Sequence, residues 1–460
     1  MKIALFHNLP AGGAKRALFE HARHLRERGH TLDAYVLSTA NEAYLPLAPL
    51  CRQVFSYAVP DGPKTAGLAA RLIHHPLARR ALGSERYRAL AGEHAARAES
   101  ARRRVLDEVY AGVARDLDAG NYDAAYVHQC RLTQSPPLLT LAGLPQLYFC
   151  QDTLRGFYEW GVGSEEDEVD EEKAPGDDLP RDNRFEERLL GKAVSRPWLR
   201  WLRHHERAHV VATRAATRVL ANSWYSREAI LRTTGVDAHV CRLGVDADFF
   251  CPDLAVARPE VSRRVLSVGA LAPHKRHEFI LRAIAAIPEK RRPFLEIVGY
   301  EFGTGNGAAG PFATRLCTLA ERHGVRLTIT RDGSDEAVRD AYRRASVFAF
   351  APYLEPFGLV ALEALACRTP VVAVKEGGPR EIIADDVTGR LVPRDTAAFA
   401  HALDDLLAHP DQAEAMGAAG RDDVQRNWTW EASGDAAERH LAQISAGGST
   451  VPAVSGERAL

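Results

Sequence analysis

The chain lacks an excess of charge of either sign, because 59 lysines and arginines stand against 60 aspartates and glutamates. That excludes a global field drawing the molecule to nucleic acid or membrane, so any such attraction must come from a local patch. It also lacks an apolar run of the roughly 18 residues that a membrane-spanning helix needs. The best candidate, 138–150, is broken by Gly143 and Pro145. The apolar start ends at His7-Asn8, too short for a secretory leader, so a cytoplasmic protein is expected. The cysteines, at 51, 130, 150, 241, 251, 317 and 367, are odd in number and show no C-x-x-C spacing. This argues against a disulfide framework and a zinc ribbon. Neither G-x-x-x-x-G-K-[ST] nor H-E-x-x-H occurs, so P-loop phosphoryl transfer and zinc-protease chemistry have no support. No metal site and no tightly held cofactor is expected.

What is present is a chain of 460 residues, 46% hydrophobic and 26% charged, a soluble globular composition long enough for at least two cores. Residues 2–6 read as a buried strand and 7–13 as a loop. Ala14, Ala17, Leu18, Ala22 and Leu25 then recur at helical spacing until Gly29, and 31–37 read as the next strand. Strand–helix–strand order of this kind favours a parallel sheet covered on both faces. Further strands are expected at 53–59, 122–128, 146–150, 218–221 and 239–243. After the polar, Pro-containing stretch 246–253 a second series follows at 265–268, 294–298, 326–330, 347–350 and 370–374. The expected class is α/β, with two Rossmann-like parallel-sheet domains, 1–250 and 254–428, facing across a cleft. Their functional loops should lie at the carboxyl ends of the strands.

Two segments depart from this rhythm. Between Glu165 and Asp178 nine acidic residues meet one lysine, which reads as a solvated, disordered loop. Residues 196–210 combine Trp198, Leu199, Trp201 and Leu202 with Arg196, Arg200, Arg203 and Arg207. Such a helix either packs its tryptophans under the first sheet or lies in an anionic membrane surface, and the two readings differ in tryptophan burial. The Gly-, Ser- and Ala-rich tail 446–460 is expected to be disordered.

The most specific constellation is Glu355-Pro356-Phe357-Gly358-Leu359-Val360-Ala361-Leu362-Glu363, directly after a strand. Gly358 lets backbone approach a ligand, and the following helix N-terminus offers free N–H groups for sugar hydroxyls or phosphate. Two carboxylates eight positions apart can address two groups of one elongated ligand, and a carboxylate suits a pair of vicinal hydroxyls. A helix cap and a solvated surface charge would account for the same pair.

This segment resembles the retaining glycosyltransferases of family 4, which have the GT-B fold. The family's Glu-x7-Glu with an internal Pro-Phe-Gly is matched by Glu355 and Glu363. Its next strand is matched by Pro370-Val371-Val372, its Gly-Gly-x-x-Glu loop by Gly377-Gly378-Pro379-Arg380-Glu381, and its following turn and strand by 388–393. The resemblance implies that the second domain binds a nucleotide sugar, that the first binds the acceptor, and that a helix at 429–445 crosses back to the first. Val268-Gly269-Ala270-Leu271 with Lys275 resembles the family's diphosphate loop, but Ala270 stands at the family's Arg, leaving Lys275 and Arg276 to carry the leaving-group charge. Arg368 stands where the family usually has Gly. Gly12-Gly13 resembles the N-terminal glycine loop, though an ordinary turn reads the same. His128 matches the family's histidine that faces the reacting sugar, and a core histidine is its plain alternative.

The resulting expectation is a metal-independent, retaining hexosyltransferase of polysaccharide-type biosynthesis, using a nucleotide-diphosphate sugar and a sugar or lipid-linked acceptor. It would be cytoplasmic or peripheral at the inner membrane face and would not bind nucleic acid. Lys275, Glu355 and His128 are the catalytic candidates. Gly12, Gly13, Gly269, Lys275, Arg276, Glu355, Phe357, Gly358, Leu359 and Glu363 are the donor-binding ones. Asp152 and Arg155, in the loop after strand 146–150, are acceptor candidates or a surface ion pair. The rival enzyme class is an NAD(P)-dependent oxidoreductase, since Gly305-Asn306-Gly307-Ala308-Ala309-Gly310 is literally G-x-G-x-x-G, with Asp332 near the ribose-binding offset. Against it, the loop begins several residues beyond the strand. A non-catalytic GT-B protein that binds nucleotide sugar is the third reading, and Ala270 is its motive.

Overall fold

The computed structural model describes residues 1–60, 103–153, 196–253, 263–300, 310–331 and 333–447, the side chains of 196–202 excepted. The chain forms two compact units. One comprises Met1–Ala221, Arg227–His239 and the chain from Ala436, and the other Asn222–Ser226 and Val240–Asp435.

The first unit is built on seven strands: β1 (Lys2–Asn8), β2 (Thr31–Leu37), β3 (Gln53–Tyr57), β4 (Ala124–Cys130), β5 (Gln146–Phe149), β6 (Arg218–Ala221) and β7 (His239–Val240). Their order is β3-β2-β1-β4-β5-β6-β7, and the pairs from β3 to β6 run parallel. β1 and β4 are buried almost throughout because helices cover both faces of a parallel sheet. Helix Gly13–Glu27 buries Lys15, Leu18, Ala22 and Leu25, one stripe at helical spacing. On the other face Tyr110, Val113 and Leu117 of the helical stretch 103–119 join Phe6, Val127 and Tyr148 in the core.

β4 differs from the expected strand at both ends. Asp123 accepts the Lys2 N–H (2.7 Å) while the chain is still turning, so pairing starts at Ala124 opposite Ile3. It then runs past His128 to Cys130, across an irregularity between Phe6 and Asn8. His128 is therefore inside the strand rather than at its end. β5 likewise stops at Phe149, β3 at Tyr57 and β7 at Val240.

The second unit has β8 (Arg264–Val268), β9 (Phe294–Gly299), β10 (Leu327–Arg331), β11 (Val347–Phe350), β12 (Val371–Val374) and β13 (Gly389–Val392). They are ordered β10-β9-β8-β11-β12-β13, all pairs parallel. One of its cores joins Ile280 and Ile284 of helix His277–Ala286 to Leu295, Val347, Val372 and Leu403. In both sheets the order reverses beside the first strand, between β1 and β4 and between β8 and β11. Chain leaving neighbouring strand ends there parts in opposite directions and opens a crevice for a ligand. Ala446, expected to open the tail, closes helix Trp430–Ala446.

Candidate functional site

In the second unit the chain leaves β8 through Gly269 (φ +155°), and a Cβ on Gly299, at the end of β9, would come within 1.9 Å of the Gly269 carbonyl oxygen. This close crossing turns the chain into Pro273–Lys275, and Lys275 Nζ donates to Glu355 Oε2 at 2.8 Å. The two side chains are 22% and 16% exposed, so the pair is largely withdrawn from water yet reachable. His277 fixes the loop from below. Its Nε2–H donates to Ala270 O (3.2 Å), its Nδ1 accepts from Ser267 (3.1 Å), and burial lowers its pKa to about 4, keeping it neutral. Arg276 takes a left-handed backbone (φ +56°) at the start of helix His277–Ala286. Its Nε is buried without a partner among the described residues, while its side chain is 43% exposed.

Glu355 sits where two loops press together. Gly378 N–H donates to its carbonyl (2.7 Å). A Cβ on Gly377 would lie 2.3 Å from that same oxygen, and one on Gly378 2.5 Å from Pro356 O. Two bare glycines are what this approach requires. Glu381 of the same loop accepts the Trp224 and Tyr225 N–H groups (3.0 and 2.9 Å), and Ser223 Oγ donates to Pro356 O (2.6 Å). Phe357 turns its ring into the core, 5.9 Å from Trp428. Gly358 (φ +110°) opens helix Leu359–Ala366. The N–H groups of Phe357, Gly358 and Leu359 are unpaired among the described residues, as a helix start leaves them. Glu363 is not the solvated charge that one reading allowed: it is buried and accepts the Tyr342 hydroxyl (3.1 Å). Arg368 has φ +61°, the left-handed turn for which glycine is suited.

The first unit has its own cluster at its reversal. Gly12 (φ +139°, ψ −171°) occupies a region open only to glycine, while nothing lies within 4 Å of where its Cβ would be. The backbone there is bare toward open space, and Gly13 begins the helix. His128 is fully enclosed. Its Nδ1 accepts from Gln151 (3.4 Å), which leaves an Nε2–H without a partner. Burial, then the neighbouring His21, His7 and Lys15, hold its pKa well below the usual value, so it is a neutral donor. Asp152 is half-buried, and its carbonyl accepts from Gln129 and Gln134.

Sequence reasoning missed His7, Lys15 and Glu42. Glu42 accepts from Lys15 and from His7 Nε2 (2.9 Å), and Leu9 N–H donates to His7 Nδ1 (3.2 Å). Burial alone would raise the Glu42 carboxyl, but hydrogen bonds from His7, Lys15 and the Leu47 N–H outweigh it and hold the pKa at about 2. Burial lowers His7 to about 4. The available signal was register, since Lys15 falls in the stripe of Leu18, Ala22 and Leu25.

Arg155, the acidic loop 165–178, residues 305–309 and Asp332 lie outside the described residues, as do the side chains of Trp198 and Trp201. Gly310 is an extended N-cap to helix Pro311–Arg322. Among the described residues no helix is long and apolar enough to cross a membrane.

Residues 255–423 match the model of the family described as Glycosyl transferases group 1. The D-inositol 3-phosphate glycosyltransferase of Kribbella flavida is 37% identical over 232 residues, 47% of this chain and 54% of the relative. The GDP-mannose-dependent alpha-(1-6)-phosphatidylinositol monomannoside mannosyltransferase of Mycolicibacterium smegmatis is 34% identical over 236 residues, 46% and 58% respectively. The chain thus spans about half the length of the curated relatives it matches. Among solved structures, a sucrose-phosphate synthase from Thermosynechococcus elongatus has a TM-score of 0.68 at 21% identity, covering 97% of this chain and 100% of the other. Anabaena HepE in complex with UDP and glucose has 0.65 at 17%, covering 96% and 100%. At such identities the likeness is one of fold, the GT-B architecture of two Rossmann-like units.

Proposed function

We propose, from the match of residues 255–423 to the model of the group 1 glycosyl transferases, that the chain is a retaining hexosyltransferase acting on a nucleoside diphosphate sugar. The second unit holds the donor and the first the acceptor. The observation that carries this reading is the Lys275–Glu355 pair, 2.8 Å apart at the strand-order reversal beside the unpaired N–H groups of Phe357 to Leu359.

As the bond from the sugar to the diphosphate breaks, negative charge gathers on the departing phosphate. Lys275 and those N–H groups are prearranged donors for it, and such donors stabilise a transition state more than the ground state. Arg276 adds a second cation where Ala270 supplies none. Glu355 accepts from the sugar hydroxyls, and Glu363, oriented by Tyr342, accepts from the ribose pair. His128 offers its neutral Nε2–H to the reacting sugar, and Gly12-Gly13 lets backbone approach it. Asp152 and Arg155 contact the acceptor. The acceptor oxygen bonds to the anomeric carbon on the face that the diphosphate leaves, and its proton passes to the departing phosphate oxygen. No protein nucleophile is needed.

The two relatives named above act, by their names, on inositol 3-phosphate and on a phosphatidylinositol mannoside, so a polyol phosphate, free or lipid-borne, is the acceptor class to test. With a lipid-borne acceptor, helix Arg196–Ala215 is the segment to meet the bilayer. Salt-sensitive co-sedimentation with phosphatidylglycerol vesicles would report it.

The test is thermal shift and turnover with UDP-glucose and GDP-mannose, with and without an inositol phosphate. A donor at a hundred times its dissociation constant adds about 2.7 kcal/mol to stability. Binding with slow release of nucleoside diphosphate, accelerated by an acceptor, supports the transferase. Binding without turnover leaves a nucleotide-sugar-binding protein, and no shift with any nucleotide sugar refutes the reading.

A further inference from the structure

We propose that Arg394 is the positioning residue that aims Glu355. It lies just beyond β13, and its guanidinium holds two other strand-end loops at once. Nη1 donates to Ala351 O (2.9 Å) and Nη2 to Pro352 O (2.8 Å), both in the stretch between β11 and Glu355. Nε and Nη2 donate to the two oxygens of Glu376 (2.9 and 2.7 Å), which immediately precedes the Gly377-Gly378 pair pressed on the Glu355 backbone. Its Cζ also lies 5.6 Å from the ring centres of Phe279, in the helix that follows Lys275, and of Tyr353.

The stretch it grips is strained. Leu354, directly before Glu355, has φ +45°, a conformation that a bulky residue keeps only where its surroundings over-determine it. Three restraints do so. Arg394 holds the carbonyls of 351 and 352, His274 O accepts the Tyr353 N–H (2.9 Å), and the Glu355 carbonyl accepts the Gly378 N–H (2.7 Å). His274 adjoins Lys275, so the framework that aims Glu355 also sets its cationic partner. With a side chain 18% exposed, Arg394 is neither core nor part of the Lys275–Glu355 pair, and its influence runs through backbone. Lysine cannot replace it, because a point ammonium cannot serve in-plane acceptors on several sides as the planar fork does.

The activity arm of the test rests on the transferase reading, and the exchange arm does not. In the whole chain, Arg394→Ala should speed amide hydrogen exchange at residues 353–355 and 378 while β12 keeps its protection. In turnover with a nucleotide sugar, kcat should fall by about tenfold or more, toward the roughly hundredfold that a 1 Å misplacement costs, with the donor KM changed less than about threefold. That loss should vanish in a Glu355→Gln background, and Arg394→Lys should not restore activity. If Arg394→Ala unfolds, Glu376→Gln, which loosens the fork without removing it, should show the same pattern at smaller size. Unchanged exchange at 353–355, or an undiminished loss in the Glu355→Gln background, overturns the proposal. A wild-type chain without turnover refutes the transferase reading and leaves exchange to decide the role of Arg394.

Discussion

Acidification should unfold the first unit well before the second. His7, His21, His128 and His209 are all fully enclosed in the first unit, whereas His277 is the enclosed histidine of the second among the described residues. Burial is the largest cause of every shift, lowering His7 and His209 to about 4 and His21 to about 3. The unfolded chain titrates near 6.5, so below that pH it binds protons that the folded state refuses. Stability is fully present above about pH 6.5 and is lost as pH falls toward the folded values. At about pH 5 each such histidine has given up about 2 kcal/mol, so these three together take about 6 from a total that is typically about 5 to 15. His277, lowered to about 4, takes about 2 from the second unit by the same reasoning. Glu42 works in the other direction, since its lowered carboxyl stabilises above its ordinary range and is lost only as pH falls toward about 2. It lies outside the window. Hydrogen exchange read peptide by peptide between about pH 7.5 and 5, corrected for intrinsic rates, separates the units. Protection should collapse first in β1, β4 and β5, and His7→Gln should flatten the dependence by about a quarter, one of the four enclosed histidines. Equal loss in both units, or a first unit stable to about pH 4.5, would refute the reasoning.

Lys275→Ala should lower kcat by about a hundredfold or more, the effect of removing one donor to a developing anion, while Glu363→Ala should chiefly raise the donor KM. Steady-state kinetics that leave both variants at wild-type values would remove the site. The product should keep the donor's anomeric configuration, so an NMR spectrum of the inverted anomer excludes the proposed displacement. Activity should survive EDTA, and its loss with recovery on adding magnesium or manganese would assign the diphosphate charge to a metal instead of Lys275. Arg368→Gly should raise stability by about 1 kcal/mol, because it relieves the left-handed backbone at φ +61°. The Arg368–Glu414 contact that it removes is partly exposed, the side chains being 30% and 51% accessible, and contributes little. An unchanged or lower melting temperature would show that the turn is unstrained.

How far the sequence carried the reading depends on how local each feature is. Strands β11 and β12 were legible because a parallel sheet buries both faces and writes continuous apolar runs, and β2 because Asp33 alone interrupts its run from Leu32 to Leu37. The true limits of β4 were not, since they depend on where Asp123 meets Lys2 and on an irregularity opposite Asn8. The Glu355–Glu363 segment was legible for the same local reason, its strand, glycine and helix start being consecutive. What makes it a candidate site is not local. Lys275 reaches Glu355 across 80 residues of sequence, and Arg394 reaches Pro352 across 42. Lys15 was hidden by a sound rule, that lysine faces water, which fails where Glu42 arrives from another loop to meet the buried ammonium.

These long-range meetings share one cause. A parallel sheet returns the chain to the same edge after every crossover, so residues dozens of positions apart emerge side by side at the carboxyl ends of neighbouring strands. Lys275 follows β8, Glu355 follows β11, Glu376 follows β12 and Arg394 follows β13, and the order β8-β11-β12-β13 makes them neighbours in space. The first sheet repeats the device with His7 on β1, Glu42 after β2, His128 on β4 and Gln151 after β5. Spacing along the chain therefore says little about which charges meet, whereas strand order says a good deal. Once β13 is known to lie beside β12, an arginine just past its end becomes a candidate partner for the acid just past β12, and no motif spanning both is needed.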